Sequence, residues 1–264
     1  MDANPMIDVL MRRASVREYT DKVPSDETVE IIVRAGQQAA FATQLGSLLL
    51  RRDREKNPFH APLLFTVCAD VHRLEVVLAR RGWKRVTSDA AILLFAIQDA
   101  AYLAQNLVIA GEALGLGSCY LGAAPFVADR IAQEYGLPKR VFPVVQLAMG
   151  YPVAAPRPRP RYPLSFSLFE DRYPVFSEAE VDAAMAVMDE GYLAQDYYRE
   201  GAIPLEDGRP DAFSRRSYSW TEHMGRKWGQ WLRNPEDLLG PLLACGFDLN
   251  EVPDSMEKQG SAAA

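Results

Sequence analysis

The chain has 264 residues, of which 48% are hydrophobic and 24% charged. That composition excludes disordered, collagen-like and coiled-coil classes. A net charge of −6 and a pI near 5.2 argue against a nucleic-acid binder, while leaving room for a small basic pocket, because pocket fields are local. The three cysteines (Cys68, Cys119, Cys245) lie far apart in apolar sequence, and His60, His72 and His223 lack metal-ligand spacing. Buried free thiols in a reducing cytoplasm and no metal site are therefore expected. Residues 1–13 place Asp2 and Asp8 among the apolar residues, unlike a signal peptide, and no charge-free apolar stretch reaches the roughly 18–20 residues of a membrane span.

In chain order, residues 4–13 read as a helix with a basic last turn, followed by a loop over 14–24. Ser25 is a good N-cap for a second helix running to about residue 40, with Asp26 and Glu27 suiting its positive start. Residues 51–56 are a charged stretch. Residues 62–69 (PLLFTVCA) read as a buried strand and 71–81 as a helix. The strongest helix spans 89–114, apolar around most of its circumference and stopped by Gly115. Residues 117–122 (GSCYLG) read as a strand, 127–135 as a short helix ended by Gly136, and 141–149 (VFPVVQLAM) as another buried strand. Residues 152–163 are proline-rich, with Pro156, Pro158 and Pro160 alternating with Arg157, Arg159 and Arg161, and cannot be helical. Helices are expected over 178–198 and, interrupted near Asn234-Pro235, over 220–247; residues 254–264 read as a tail. Strands separated by helices imply α+β or α/β layers around one core, and the glycines form neither GxGxxG nor a P-loop.

Four constellations are candidates for chemistry. Arg13, Ser15 and Arg17 stand at alternate positions, so in extended chain they share one side and suit a phosphate; a solvated basic loop fits the same residues. The glycine turn Gly115–Gly122 lets backbone approach a flat ligand, or simply stops a helix. Arg157, Arg159 and Arg161 make a stiff cationic strip or a solubilising linker. Arg215-Arg216 suit a nucleotide phosphate or an exposed turn. No nucleophile–base grouping stands out, which suits chemistry residing in a bound organic cofactor.

Together these blocks resemble the flavin-dependent nitroreductase family, in its branch of NADPH-dependent oxygen-insensitive nitroreductases and NADPH–FMN flavin reductases. The matching stretches are RASVREYTD (13–21), PLLFTVCAD (62–70), DAAYLAQNLVIAGEALGLGSCYLG (99–122), RPRYP (159–163) and residues 218–247. They occur in the family's order, and AQNxxIAxExLGLG followed by Tyr-Leu-Gly is the most specific. The resemblance implies an α+β homodimer with helices around a central, mostly antiparallel sheet and the long helix at its centre. It implies an FMN-binding core over 1–175, a helical extension over 176–253 and a flexible tail over 254–264. By resemblance Arg13, Ser15 and Arg17 hold the FMN phosphate and ribityl chain, with Arg159 and Arg161 adding contacts. Tyr120, Leu121, Gly122 and Ala123 run along the flavin ring, and Thr43 and Gln44 touch it. Phe41, Arg215, Arg216 and Arg233 meet NADPH or substrate.

The implied activity is hydride transfer from NADPH or NADH to an electron-poor acceptor (nitroaromatic, quinone or free flavin) in ping-pong order, in the cytoplasm. Two alternatives stand: a diverged pathway-specific flavin oxidoreductase, and a flavin-binding dimer without turnover. Two departures from the family bear on this. Ala14 replaces a basic residue, and the region 45–62 is short and lacks the glutamine that lies against the flavin, leaving Asn57 as a stand-in.

Overall fold

The computed structural model describes residues 4–230 and 236–250. Its contacts divide the chain into two compact units, the first holding residues 4–157 and 236–250 and the second 158–230. The first unit is built on a four-stranded antiparallel sheet of order β1-β2-β4-β3: β1 Gly46–Arg51, β2 Leu63–Asp70, β3 Gly117–Leu121 and β4 Val141–Gly150. Its helices are α1 Pro5–Arg12, α2 Asp26–Gln37, α3 His72–Arg80, α4 Asp89–Ala113, α5 Ala128–Tyr135 and α8 Glu236–Ala244.

β2 is buried along its whole length, and its two faces serve two cores because successive side chains alternate. Leu63, Phe65 and Val67 pack with Val29 and Ile32 of α2 and with Leu103, Leu107 and Val108 of α4. Leu64 points the other way, into a smaller cluster with Val16, Tyr19, Ala61, Cys119 and Ala148. Pro143 has no N–H for the β4 ladder, and the β2–β4 register shifts between Val67 and Cys68, the latter opposite that proline.

α4 starts on the Ser88 hydroxyl, which accepts from the Ala91 N–H. It stops in a Schellman turn: Gly115 adopts φ +81°, the Leu116 N–H bonds the Gly111 carbonyl at 2.9 Å and the Gly115 N–H bonds that of Glu112 at 3.1 Å. By length and composition α4 is apolar enough to cross a membrane, yet half of that stretch is buried inside the unit.

β1 was not among the expected strands. Gly46–Arg51 has no polar–apolar alternation and is held by its ladder to β2, from Gly46↔Ala69 to Arg51↔Leu64, a non-local pairing invisible in local pattern. Two helices are shorter than expected: α2 ends at Gln37, and in the second unit α6 (Glu178–Leu193) breaks into turns before residue 198.

The units meet the sequence at Arg157/Pro158, inside the proline–arginine stretch and earlier than residue 175. Segment 158–175 belongs with the second unit because its rings pack there: Tyr162 lies 5.4 Å from Trp220 and 5.1 Å from Phe166. That unit pairs α6 with α7 (Trp220–Gly229), and Asp189 of α6 accepts from the Thr221 N–H at 2.8 Å. α8 returns to the first unit. Leu242, Cys245 and Phe247 bury beside Ile92, Leu93 and Phe142. Asp89, 2% exposed, ties that end of the chain to α4 by accepting from Arg85, Arg140 and the Asp248 N–H. The expected tail 254–264 lies outside the described residues.

Candidate functional site

The segment after α1 is extended and lies along β3. Ser15 bridges Ser118 in parallel, and the Val16 N–H donates to the Ser118 carbonyl at 2.9 Å. Ala14 and Val16 are buried while Arg13, Ser15 and Arg17 are not, so the alternation does put the two guanidiniums and the hydroxyl on one side. Gly117 makes the approach possible: a Cβ there would stand 2.4 Å from Cγ2 of Val16. Tyr19 fastens the far end, its hydroxyl reaching the Val16 carbonyl at 2.8 Å and the Ala148 carbonyl at 3.1 Å.

Arg13 Nη1 is buried and meets no acceptor among the described residues. Nearby, burial pushes the Glu112 carboxyl up against the opposing pull of Arg13 and Arg12. Burial likewise raises the Cys119 thiol, with the Arg17 and Arg13 charges acting to lower it. This corner is positive and partly dry. Tyr120 packs its ring toward the α4 core, and its hydroxyl lies 3.1 Å from Gln105 Oε1; burial holds it at about 12. Leu121 packs on the opposite face, near Val16 and Tyr19. Gly122 follows, with nothing within 4 Å of where a Cβ would stand and no left-handed φ, so neither turn geometry nor packing inside the chain requires glycine there.

A cleft of about 810 Å³ opens where α2 runs into β1, lined by Gln37, Gln38, Phe41, Gln44, Ser47 and Asp99 among others. Phe41 is 53% exposed within it. Asp99, buried on α4, accepts from the backbone N–H groups of Ala42 (2.6 Å), Thr43 (3.1 Å) and Leu45 (2.9 Å). Arg73 of α3 grips the same loop by its carbonyls, donating to Gln44 O at 2.8 Å and to Gly46 O, and is braced by Asp70 at 2.8 Å. Sequence reasoning missed both residues. The available signal was an acid at the middle of a mostly apolar helix, since a buried carboxylate needs donors. Asn57 is not a stand-in at this cleft: buried at the foot of the β1–β2 connection, it spends its amide on Arg51 Nε, Arg51 O and Ala61 O.

The remaining arginines belong to the second unit. Arg159 stacks 3.8 Å over Tyr197 and donates to Gln195; Arg161 donates to the carbonyls of Arg159 and Pro160. Arg215 and Arg216 line a hollow of about 240 Å³ with Tyr197, Tyr198, Tyr218 and Arg199. Arg199, a third cation at that hollow, was also missed, because the break of α6 that brings it there was not foreseen. Arg233 lies outside the described residues.

Residues 47–151 match the model of the Nitroreductase family. The Cr(VI) reductase of Pseudomonas sp. (strain G-1) is 30% identical over 180 residues, covering 63% of this chain and 74% of that protein. The FMN reductase (NADPH) of Bacillus subtilis (strain 168) is 27% identical over 213 residues, 75% of this chain and 84% of that one. The solved structure of B. megaterium NfrA2 superposes with a TM-score of 0.80 at 23% identity, covering 94% of this chain and all of that one. The four-stranded antiparallel sheet with its surrounding helices is thus a known fold, and the chain belongs to the nitroreductase family.

Proposed function

We propose that the protein is an FMN-dependent oxidoreductase that passes hydride from NADPH or NADH to an electron-poor acceptor. The observation that carries this reading is the Arg13–Ser15–Arg17 face beside β3, with Arg13 Nη1 buried and without an acceptor among the described residues. A buried guanidinium nitrogen left unpaired costs free energy unless an anion completes it, and the FMN phosphate is such an anion. The residues present fit the group. Arg13, Ser15 and Arg17 would hold the phosphate and ribityl chain, and the open space at Gly122 would admit a flat ring against the backbone of Gly122 and Ala123, with Tyr120 and Leu121 leading the chain there. Thr43 and Gln44 would border the ring. When bound, the flavin supplies the electron and hydride chemistry, while the chain supplies position and electrostatics.

Phe41 offers an exposed aromatic face to a planar acceptor in the cleft, and Arg215 and Arg216 offer charge to the phosphates of NADPH. Reductant and acceptor would use the cleft in turn, which is a ping-pong order. Protons would come from water, since Asp99, the acid that lines the cleft among the described residues, already accepts from three N–H groups. Nitroaromatics, quinones and free flavin are the acceptors proposed, and the Cr(VI) in the name of the Pseudomonas relative extends the class to inorganic oxidants. We further propose that the protein works in the cytoplasm as a homodimer: α1 exposes Met6, Ile7 and Met11 and α4 exposes Leu94, Phe95 and Tyr102, apolar surface that a second copy would cover. A specialised acceptor is the second reading, favoured by the short β1–β2 connection in which Asn57 is fully engaged.

The test is an anaerobic half-reaction. The purified protein should carry a flavin spectrum that NADPH bleaches and that a quinone or nitrofuran restores. A protein that takes up no FMN overturns the reading; one that keeps its colour under both nicotinamides removes the reductase activity.

A further inference from the structure

The loop between α2 and β1 is gripped from both sides, and one of its groups is left over. Of the four consecutive N–H groups at residues 42–45, Asp99 takes those of Ala42, Thr43 and Leu45. The Gln44 N–H meets no acceptor among the described residues. Gln44 also adopts φ +56°, a left-handed conformation that a side chain this long rarely takes without compensation. The compensation is visible: Arg73 holds the carbonyl of Gln44 and that of Gly46, and Asp70, 7% exposed at its side chain, braces Arg73. Asp99 is 4% exposed, so its bonds are charge-assisted and poorly screened. Gln44 lines the cleft.

We propose that Asp99, aided by Arg73, is a positioning residue that presents the Gln44 backbone N–H to an sp2 oxygen of the electron acceptor. The inference rests on the proposed use of this cleft by the acceptor. A quinone carbonyl or nitro oxygen gains negative charge as it is reduced, and a preorganised N–H donor favours that charge more than the neutral ground state. The donor costs nothing to arrange at that moment, because the carboxylate and guanidinium have already fixed the loop. The side chain of Gln44 is not required.

The experiment uses the FMN-loaded protein with benzamide, a planar aromatic carbonyl that cannot accept hydride, followed by single-residue amide hydrogen exchange. Thr43 and Leu45 should exchange slowly and Gln44 fast in the free enzyme; saturating benzamide should slow Gln44 at least about tenfold. Gln44→Gly keeps the N–H and relieves the left-handed strain, so it should retain benzamide affinity. Asp99→Asn cannot accept from three N–H groups and should weaken benzamide and raise the KM for a quinone at least about tenfold, about 1.4 kcal/mol. Should that variant lose its flavin, the exchange measurement on the unaltered protein still decides. Benzamide that perturbs the flavin spectrum without slowing Gln44, or that does not bind, overturns the proposal. Absence of bleaching by either nicotinamide instead overturns the activity on which it rests.

Discussion

Arg13 and Arg17 share a side of one extended segment but not an environment. Arg13 is half-buried with one nitrogen wholly enclosed, whereas Arg17 is exposed, so solvent screens Arg17 more strongly. A charge-assisted contact is worth roughly 1.5–3 kcal/mol. Arg13→Ala should therefore weaken FMN binding by about tenfold to a hundredfold, and Arg17→Ala by less. Fluorescence-quenching titration of FMN against each variant reads this directly, with riboflavin as control. Equal loss for riboflavin would mean that the phosphate is not what these residues hold. The alternation that sets this face was legible in the sequence, since residues 13, 15 and 17 of an extended chain must share a side. The burial of Arg13 was not, because it depends on α4 and β3 arriving from a hundred residues away.

At the level of elements, the two glycines at either end of β3 make different predictions for stability. Gly117 is where the Arg13–Arg17 segment closes on β3, and a methyl group there would strike Val16. Gly117→Ala should lower stability by about 1–3 kcal/mol, the usual cost of overpacking, and weaken FMN binding as the segment is pushed away. Gly122→Ala meets open space and should leave the melting temperature of the apoprotein unchanged while weakening FMN. Thermal melts with and without FMN separate the two; a Gly122→Ala variant with unaltered FMN affinity would remove the ring from that position.

The second unit offers an acid-sensitive element. Asp211 holds Arg226, itself 4% exposed, through two bonds of 2.8 and 2.6 Å. Those bonds lower the Asp211 carboxyl from 3.8 to about 2. A depressed carboxylate contributes stability above its unfolded pKa and loses it as pH falls through the folded one. The loop before α7 should thus loosen between about pH 4 and pH 2, read as rising protease sensitivity near residue 211. Asp211→Asn should show that sensitivity already at pH 7. The helices and β2 were legible from periodicity and caps, and so were the stops at Gly115 and Gly136. β1 was not, because a hexapeptide without alternation, three leucines between Ser47 and Arg51, becomes a strand only when β2 pairs with it. The true end of α6 was equally hidden, since Tyr192, Tyr197 and Tyr198 turn the chain by packing on one another, a tertiary effect that overrides helical pattern.

For the whole molecule, the proposed activity divides its cations between the two units: Arg13 and Arg17 in the first, Arg215 and Arg216 in the second. The arginine content of the motifs was readable early, but the three-cation hollow emerged only when the turns after α6 brought Arg199 beside Arg215 and Arg216. Three arginines face one acid there, Asp196, so the hollow keeps a surplus of positive charge for an anion. If that anion is the 2′-phosphate of NADPH, the pair Arg215→Ala and Arg216→Ala should raise the KM for NADPH at least about tenfold, one charge-assisted contact being worth more than 1.4 kcal/mol. The KM for NADH should move little, since NADH has no 2′-phosphate to lose. Arg199→Ala should act in the same direction and more weakly if it only adds to the field. Raising salt should erode the NADPH preference of the unaltered enzyme, because exposed charges are screened within about 10 Å at 0.1 M. Steady-state kinetics with both nicotinamides at two ionic strengths tests all three expectations. An equal rise for NADH would place the arginines on the shared diphosphate, and no rise for either would return the hollow to a solvated turn.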